Sequence, residues 1–173
     1  MVASNFPHDL ALVRASEGGN DDDKDDPGGR TSRGVTQREY NAACQLNGWP
    51  QGDVWKATED QINHIYHDQY WEPWCDKFPA GLDYLFFDEC VNNGQHEAAI
   101  LLQRGLGVEA DGHIGVATLA AIAKCDTKTV IIASSEHRRS FYKQLKTFWK
   151  YGRGWLSRVD RVQNDALAMV GNK

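Results

Sequence analysis

The sequence contains no long hydrophobic run. No window approaches the roughly 18 consecutive apolar residues of a membrane-spanning helix. The first residues, MVASNFPHDLALVRASEGG, have no basic region followed by an apolar run, which excludes the pattern of a secretory signal. We therefore expect neither a transmembrane segment nor a signal peptide. Internal repeats are also absent, and 173 residues can bury one substantial core but would cramp two full domains.

Cysteine is scarce and widely spaced, at positions 44, 75, 90 and 125. No CxxC motif and no Cys/His ligand pair is present, which argues against a zinc site. Synthesis in a reducing cytoplasm favours free, mostly buried thiols. Disulfide formation after the protein leaves the cytoplasm is the alternative that the sequence leaves open. His64 and His67 lie three residues apart without further ligands nearby, so we interpret them as surface histidines.

Acidic residues are crowded into one short stretch, where five aspartates fall within positions 21–26. A calcium-binding EF-hand loop requires glycine at its sixth position and glutamate at its twelfth. Counted from Asp21, those positions hold Asp26 and Ser32, so the template fails. We interpret the cluster as a solvated acidic loop and expect no metal ion.

Glu17 ends a predicted amphipathic helix. Phe6, Leu10 and Val13 follow helical spacing, and Glu17 continues this apolar stripe four residues after Val13. Gly18 and Gly19 then end the helix. A carboxyl group at the edge of an apolar face loses solvation, which raises its pKa and suits it to act as a general acid. On position alone, a helix-end glutamate without chemistry is the commoner interpretation, and the downstream residues decide between the two.

Those residues are Asp26, which precedes the Pro-Gly-Gly turn at 27–29, and Thr31. A glutamate, eight intervening residues, an aspartate, four more and a threonine resemble the spacing of phage lysozymes. The string EGG…DDPGGxTxxGVT is similar to glycoside hydrolase family 108, a group of phage and bacterial N-acetylmuramidases. The similarity runs from about residue 6 to residue 162 and includes four further motifs: YHDQYW (Tyr66–Trp71), FFDECVNNGQHEAAILLQRGLGVEADGHIG (Phe86–Gly115), RRSFY (Arg138–Tyr142) and GWLSRV (Gly154–Val159).

The resemblance implies a mainly α, lysozyme-like (α+β) fold, with two helical lobes and one short β-hairpin beside the catalytic cleft. It implies one domain over residues 1–173, with a catalytic lobe at about 1–89. A helical lobe at about 90–170 resembles a predicted peptidoglycan-binding region. The chain departs from the pattern at Asn20, where such proteins often carry an aromatic residue, and the crowded aspartates leave the second carboxylate open.

The activity implied is hydrolysis of the β-1,4 bond between N-acetylmuramic acid and N-acetylglucosamine by a monomeric phage endolysin that lyses its host. Glu17 would protonate the glycosidic oxygen. Asp26 would activate water or stabilise the oxocarbenium-like transition state, and Thr31 would position the water. No cofactor is expected. The enzyme would be made in the host cytoplasm and released to the periplasmic wall through a holin-type pore. A lytic transglycosylase and a non-catalytic peptidoglycan-binding protein are the alternatives.

Several predicted helices follow local signals. Capping boxes at Thr36–Glu39 and Thr58–Gln61 open helices to about Leu46 and Trp71. Further helices are predicted near 80–91, 95–104 and 116–124. A long helix is predicted at 128–151, with an interruption at Gly152 and Gly154 before a last helix at 155–169. The only β candidate is a hairpin within residues 20–35.

Aromatic residues supply the predicted sugar contacts, because their faces pack against the apolar faces of pyranose rings. Tyr66, Tyr70, Trp71 and Trp74 are the best candidates by helical spacing, although most aromatic side chains belong to the core. Asn93 is a helix cap first and a possible cleft residue second.

Charge is divided unevenly, with a net −10 over residues 1–89 and +5 over residues 90–173. The three- and four-residue steps between Lys143, Lys146, Lys150 and Arg153 predict one basic helix face. This face is either a solvated surface or a site for anionic wall polymer or lipopolysaccharide. We expect no nucleic-acid partner.

Overall fold

The computed structural model describes residues 4–15 and 30–171. Within these ranges the protein is mainly α-helical with one two-stranded antiparallel sheet, which confirms the predicted lysozyme-like fold class. The elements are α1 (Phe6–Arg14), β1 (Thr31–Ser32), β2 (Val35–Thr36), α2 (Gln37–Asn47), α3 (Glu59–Tyr66), α4 (Leu82–Asn93), α5 (Gln95–Leu106), α6 (Val116–Ile122), α7 (Thr127–Lys143) and α8 (Phe148–Met169). Short 3₁₀ turns lie at Val54–Lys56 and Cys75–Lys77, and a π-helical turn lies at His67–Trp71.

The chain divides into two compact units. Among the described residues, the first unit comprises 6–15 and 30–72, and the second comprises 4–5 and 73–171. The predicted assignment of catalysis to residues 1–89 and of wall binding to residues 90–170 stays a prediction.

The first unit carries the hairpin and both predicted capping boxes. Thr36 accepts a hydrogen bond from the backbone of Glu39, and the Glu39 carboxylate accepts one from the backbone of Thr36. Thr58 and Gln61 form the same arrangement at α3. The strands are joined by Arg33 and Gly34, whose φ angles of 51° and 82° are those of a two-residue type I′ turn. Of the predicted hairpin range, residues 20–29 lie outside the described residues.

The second unit is built around α4, which is buried on all sides from Leu82 to Cys90. Helices α5, α7 and α8 pack against it. The close crossing of α5 and α7 depends on Gly105, since a Cβ atom there would lie 2.1 Å from the Ser134 hydroxyl oxygen. A glycine inside a helix is tolerated here because it lets two helices approach closely.

The predicted interruption at Gly152 and Gly154 is wrong. The break falls at residues 144–147 instead, and α8 runs through both glycines. At Gly152 a Cβ atom would lie 2.5 Å from the Phe148 ring, so the glycine makes room for that ring inside the helix. The chain turns between α7 and α8 so that the rings of Tyr142 and Trp155 pack together, with centroids 5.2 Å apart.

This break also corrects the prediction of a single basic helix face. Lys143 is the last residue of α7, Lys146 lies in the turn, and Lys150 and Arg153 belong to α8. All four side chains are exposed. They therefore surround a helix corner, and the spacing rule fails because it assumes one continuous helix.

All four cysteines are free thiols. Cys44, Cys75 and Cys90 are buried, and Cys125 is half-buried.

Candidate active site and buried polar network

One carboxylate joins three elements of the first unit. Glu59, at the start of α3, accepts a hydrogen bond from Arg14 at 2.7 Å and another from Arg33 at 2.5 Å. These two bonds, the first from Arg14, lower the pKa of Glu59 to about 2. Arg14 ends α1 and Arg33 forms the hairpin turn, so Glu59 holds the end of a helix beside the tip of the hairpin.

Thr31 begins the first strand and pairs with Thr36. The Trp55 indole nitrogen donates to the Thr31 carbonyl oxygen at 3.1 Å, and the Arg30 guanidinium lies 4.4 Å from the centre of the Trp55 ring. Arg30 also contacts Asp53 at 2.5 Å. The backbone of Thr31 is therefore held on both sides, and its side chain is half-buried.

Glu17 and Asp26 lie outside the described residues, as does the whole stretch 16–29. Their separation, burial and pKa values stay predictions. The described flanks of this stretch are α1 and the hairpin, and both contact Glu59 through Arg14 and Arg33. Sequence reasoning did not identify this carboxylate, since a charged residue at a helix start normally signals capping alone.

Two of the predicted aromatic contacts support the hairpin. The Tyr66 hydroxyl donates to the Arg33 carbonyl oxygen at 3.0 Å, and the Tyr70 hydroxyl donates to Glu39 at 2.8 Å. Tyr66 is fully buried, whereas Tyr70 is half-buried. Trp71 is also buried, with its ring 5.5 Å from that of Phe6. The prediction that Tyr66 and Trp71 contact sugar is wrong, because both rings are buried and have no accessible face.

Trp74 and Asn93 belong to the second unit. Trp74 is half-buried, and the Lys77 ammonium group lies 4.8 Å from the centre of its ring. Asn93 is the last residue of α4, and its side-chain oxygen accepts a hydrogen bond from Tyr142 at 3.1 Å. Its buried amide nitrogen has no partner among the described residues.

The second unit also encloses a buried ion cluster that sequence reasoning missed. Asp88 on α4 accepts hydrogen bonds from Arg138 on α7 at 2.7 Å and from Arg158 on α8 at 2.7 Å. Asp88 and Arg138 are both completely buried. Burial alone would raise the pKa of Asp88, but the two guanidinium groups outweigh it and hold that pKa below its ordinary value.

Glu89, the next residue on α4, has the opposite environment. It is completely buried, and neither carboxyl oxygen has a hydrogen-bond partner among the described residues. Burial raises the pKa of Glu89 to about 8, against the attraction of Arg138 and with help from the negative charges of Asp88 and Glu97. Glu89 is therefore protonated near neutral pH.

None of the described helices has the length and apolar character needed to cross a membrane. The family model for glycosyl hydrolase 108 matches residues 10–94. A second model, described as "Predicted Peptidoglycan domain", matches residues 97–160. No curated protein matches the chain significantly.

Among solved structures, the chain is similar to the "Structure of Brucella abortus SagA". The identity is 34%, the TM-score is 0.84, and the match covers 98% of this chain and 97% of the other. The fold, the hairpin sequence and both family matches agree. The chain belongs to glycosyl hydrolase family 108 and is a glycoside hydrolase that acts on peptidoglycan.

Proposed function

We propose that the chain is an N-acetylmuramidase that hydrolyses the β-1,4 bond between N-acetylmuramic acid and N-acetylglucosamine. The observation that carries the proposal is the Glu59 contact with Arg14 and Arg33. These arginines flank the stretch that contains Glu17 and Asp26 in the sequence. A carboxylate that fixes both flanks limits the positions open to two acids that must lie on either side of one glycosidic bond.

In this mechanism Glu17 is the general acid and protonates the glycosidic oxygen as the bond breaks. Asp26 acts as a carboxylate, which activates a water molecule or stabilises the positive charge of the oxocarbenium-like transition state. The Thr31 hydroxyl positions that water, and the fixed backbone of the hairpin supports its role. The reaction requires no metal ion or organic cofactor.

The chemistry of the reducing ends tests the reaction. Peptidoglycan digested by the purified protein should give reducing-end muramic acid by mass spectrometry. Anhydro-muramic acid would instead indicate a lytic transglycosylase, in which an internal sugar hydroxyl replaces water. Bound protein with intact glycan would indicate a binding protein and refute hydrolysis.

Glu17→Gln tests the general acid, because an amide keeps the shape of the side chain but cannot donate the proton. Turnover should fall by roughly 10²–10⁴-fold with the fold intact. Asp26→Asn should reduce turnover far more than the matched variants Asp22→Asn and Asp23→Asn. Near wild-type turnover of folded Glu17→Gln would remove it from catalysis, and equal losses in all three aspartate variants would remove Asp26.

We further propose that residues 1–89 form the catalytic lobe and that residues 90–170 form a helical lobe of the same lysozyme-like domain. The monomeric protein would act as a phage endolysin, released from the host cytoplasm to lyse the wall. The exposed basic residues Lys143, Lys146, Lys150 and Arg153 support an additional attraction to anionic wall polymer or lipopolysaccharide.

A further inference from the structure

The second unit contains a cavity of about 530 Å³ whose described lining includes none of the proposed catalytic residues. This volume falls within the roughly 300–1,000 Å³ of small-ligand pockets. Its walls include Trp74, Phe86, Gln95, His96 and His113. The segment matching glycosyl hydrolase 108 supplies the first two, and the segment matching the peptidoglycan domain supplies His113.

One wall of the cavity is a loop that a buried glutamine holds in place. The Gln103 side-chain nitrogen donates to Asp111 at 2.8 Å, to the His113 carbonyl at 3.0 Å and to Thr118 at 3.1 Å. Its side-chain oxygen accepts from the Gly112 backbone at 2.9 Å. Gln103 is only 1% exposed, so the loop conformation is set before any ligand arrives.

The same loop positions two histidine rings at the cavity. Gly112 has a φ of +75°, and a Cβ atom there would lie 2.2 Å from the His96 ring, so His96 packs directly on the glycine. The His96 and His113 rings meet edge to face with centroids 5.7 Å apart. Planar donor and acceptor groups are thus placed beside the half-buried ring of Trp74. The Phe86 ring also lines the cavity, but it is buried and belongs to the core.

We propose that this cavity binds a neutral N-acetylated hexose of the glycan strand. The accessible part of the Trp74 ring can pack against the C–H face of a pyranose, and glutamine and histidine side chains exchange hydrogen bonds with hydroxyl and acetamido groups. None of the described residues that line the cavity is Asp, Glu, Lys or Arg, although Lys77 contacts the Trp74 ring. A peptide stem carries carboxylates, which are best neutralised by Lys or Arg, and the described lining contains neither.

The identity of this sugar rests on the proposed action on peptidoglycan, but the cavity can be tested separately from catalysis. Folded Glu17→Gln protein is titrated with the neutral trimer of N-acetylglucosamine and followed by NMR. The ring proton signals of His96 and His113 should shift with the ligand. Unchanged signals for both histidines at saturating trimer would overturn the proposal, because any binding would then occur elsewhere.

Variants in the same background measure the contribution of each wall. His113→Ala removes an exposed side chain and leaves the core intact, and Trp74→Ala removes the aromatic face. Each should weaken binding about tenfold or more. His137→Ala and Trp149→Ala are the matched controls, since both residues belong to the second unit and do not line the cavity. Wild-type affinity in both cavity variants would overturn the proposal.

Two further results separate this proposal from the proposed function. If the wild-type protein releases no muropeptides but the histidine signals shift with the trimer, muramidase activity fails and the sugar site stands. If the protein cleaves the wall but a stem peptide shifts the signals and the trimer does not, the sugar site fails and the activity stands.

Discussion

Replacing Glu89 with glutamine should change the pH dependence of the free energy of unfolding. The folded protein keeps a proton on Glu89 up to about pH 8, because the carboxyl group is buried without a hydrogen-bond partner among the described residues. In the unfolded chain the same group loses its proton near its ordinary value of 4.5. Folding therefore takes up one proton between these values. The stabilisation is complete below about pH 4.5 and is lost as the pH rises to about 8.

The size of the effect follows from the two pKa values. Each unit of difference corresponds to about 1.4 kcal/mol, so the whole shift corresponds to roughly 5 kcal/mol, of which roughly 3 kcal/mol is lost by pH 7. Glu89→Gln keeps the shape of the neutral acid and does not titrate. The difference in unfolding free energy between variant and wild type should rise in favour of the variant. Its slope should be about 1.4 kcal/mol per pH unit between pH 5.5 and 7.5.

Urea unfolding of both proteins at pH 5, 6, 7 and 8, followed by tryptophan fluorescence, measures this slope. Subtracting the wild-type curve removes the titration of every other group. The buried amide of the variant adds a constant offset, which does not affect the slope. Glu109→Gln, at an exposed position, controls for the change in net charge. Parallel wild-type and Glu89→Gln curves would refute the reasoning and indicate that Arg138 keeps Glu89 ionised in the fold.

Two other predictions concern the first unit and the helix corner. Glu59→Gln removes the charge that holds Arg14 and Arg33, and should lower kcat roughly tenfold through misplacement of the catalytic stretch. The neighbouring Asp60→Asn should leave kcat unchanged, and equal losses in kcat for the two variants would assign both residues to stability. In the wild-type protein, the stabilising contribution of Glu59 should be lost only as the pH falls from 4.5 through about 2. Replacing the three corner lysines with glutamine should slow lysis of permeabilised cells by several-fold at low salt, but it should leave cleavage of a soluble muropeptide unchanged. The effect is confined to low salt because charge attraction is screened as the Debye length falls from about 10 Å at 0.1 M salt to about 3 Å at 1 M. A matched triple replacement elsewhere on the second unit is the control, and an equal loss in the two triple variants would leave the corner an ordinary solvated surface. The tested residues are Lys143, Lys146 and Lys150, and the control residues are Arg104, Lys124 and Lys128.

Local signals in the sequence predict local structure well. Thr36 and Thr58 open helices because each capping box is complete within four residues. In both cases the interacting groups are neighbours along the chain, so the pattern contains the interaction itself.

Helical spacing fails where the helix itself changes. Tyr70 and Trp74 are four residues apart, and helical spacing makes both of them candidates for sugar contact. The π-helical turn ends at Trp71, and Glu72 has an extended backbone with φ −75° and ψ 148°. Tyr70 then supports the hairpin of the first unit, whereas Trp74 lines the cavity of the second. The spacing of the aromatic residues does not predict these different contacts, because a helical spacing rule applies only where the helix is continuous.

The ion cluster contains one residue from each of three segments that resemble the family. Asp88 comes from Phe86–Gly115, Arg138 from Arg138–Tyr142 and Arg158 from Gly154–Val159. Two adjacent acids on a helix ordinarily indicate a solvated face, so no local pattern predicts their burial. The two partners of Asp88 lie 50 and 70 residues away along the chain. Asp88 accepts hydrogen bonds from both guanidinium groups and stays ionised. Glu89 accepts no hydrogen bond from the described residues and keeps its proton. Three helices must therefore pack before the charge of either acid is decided, which is why the sequence alone identified neither the ion cluster nor the ionisation of its acids.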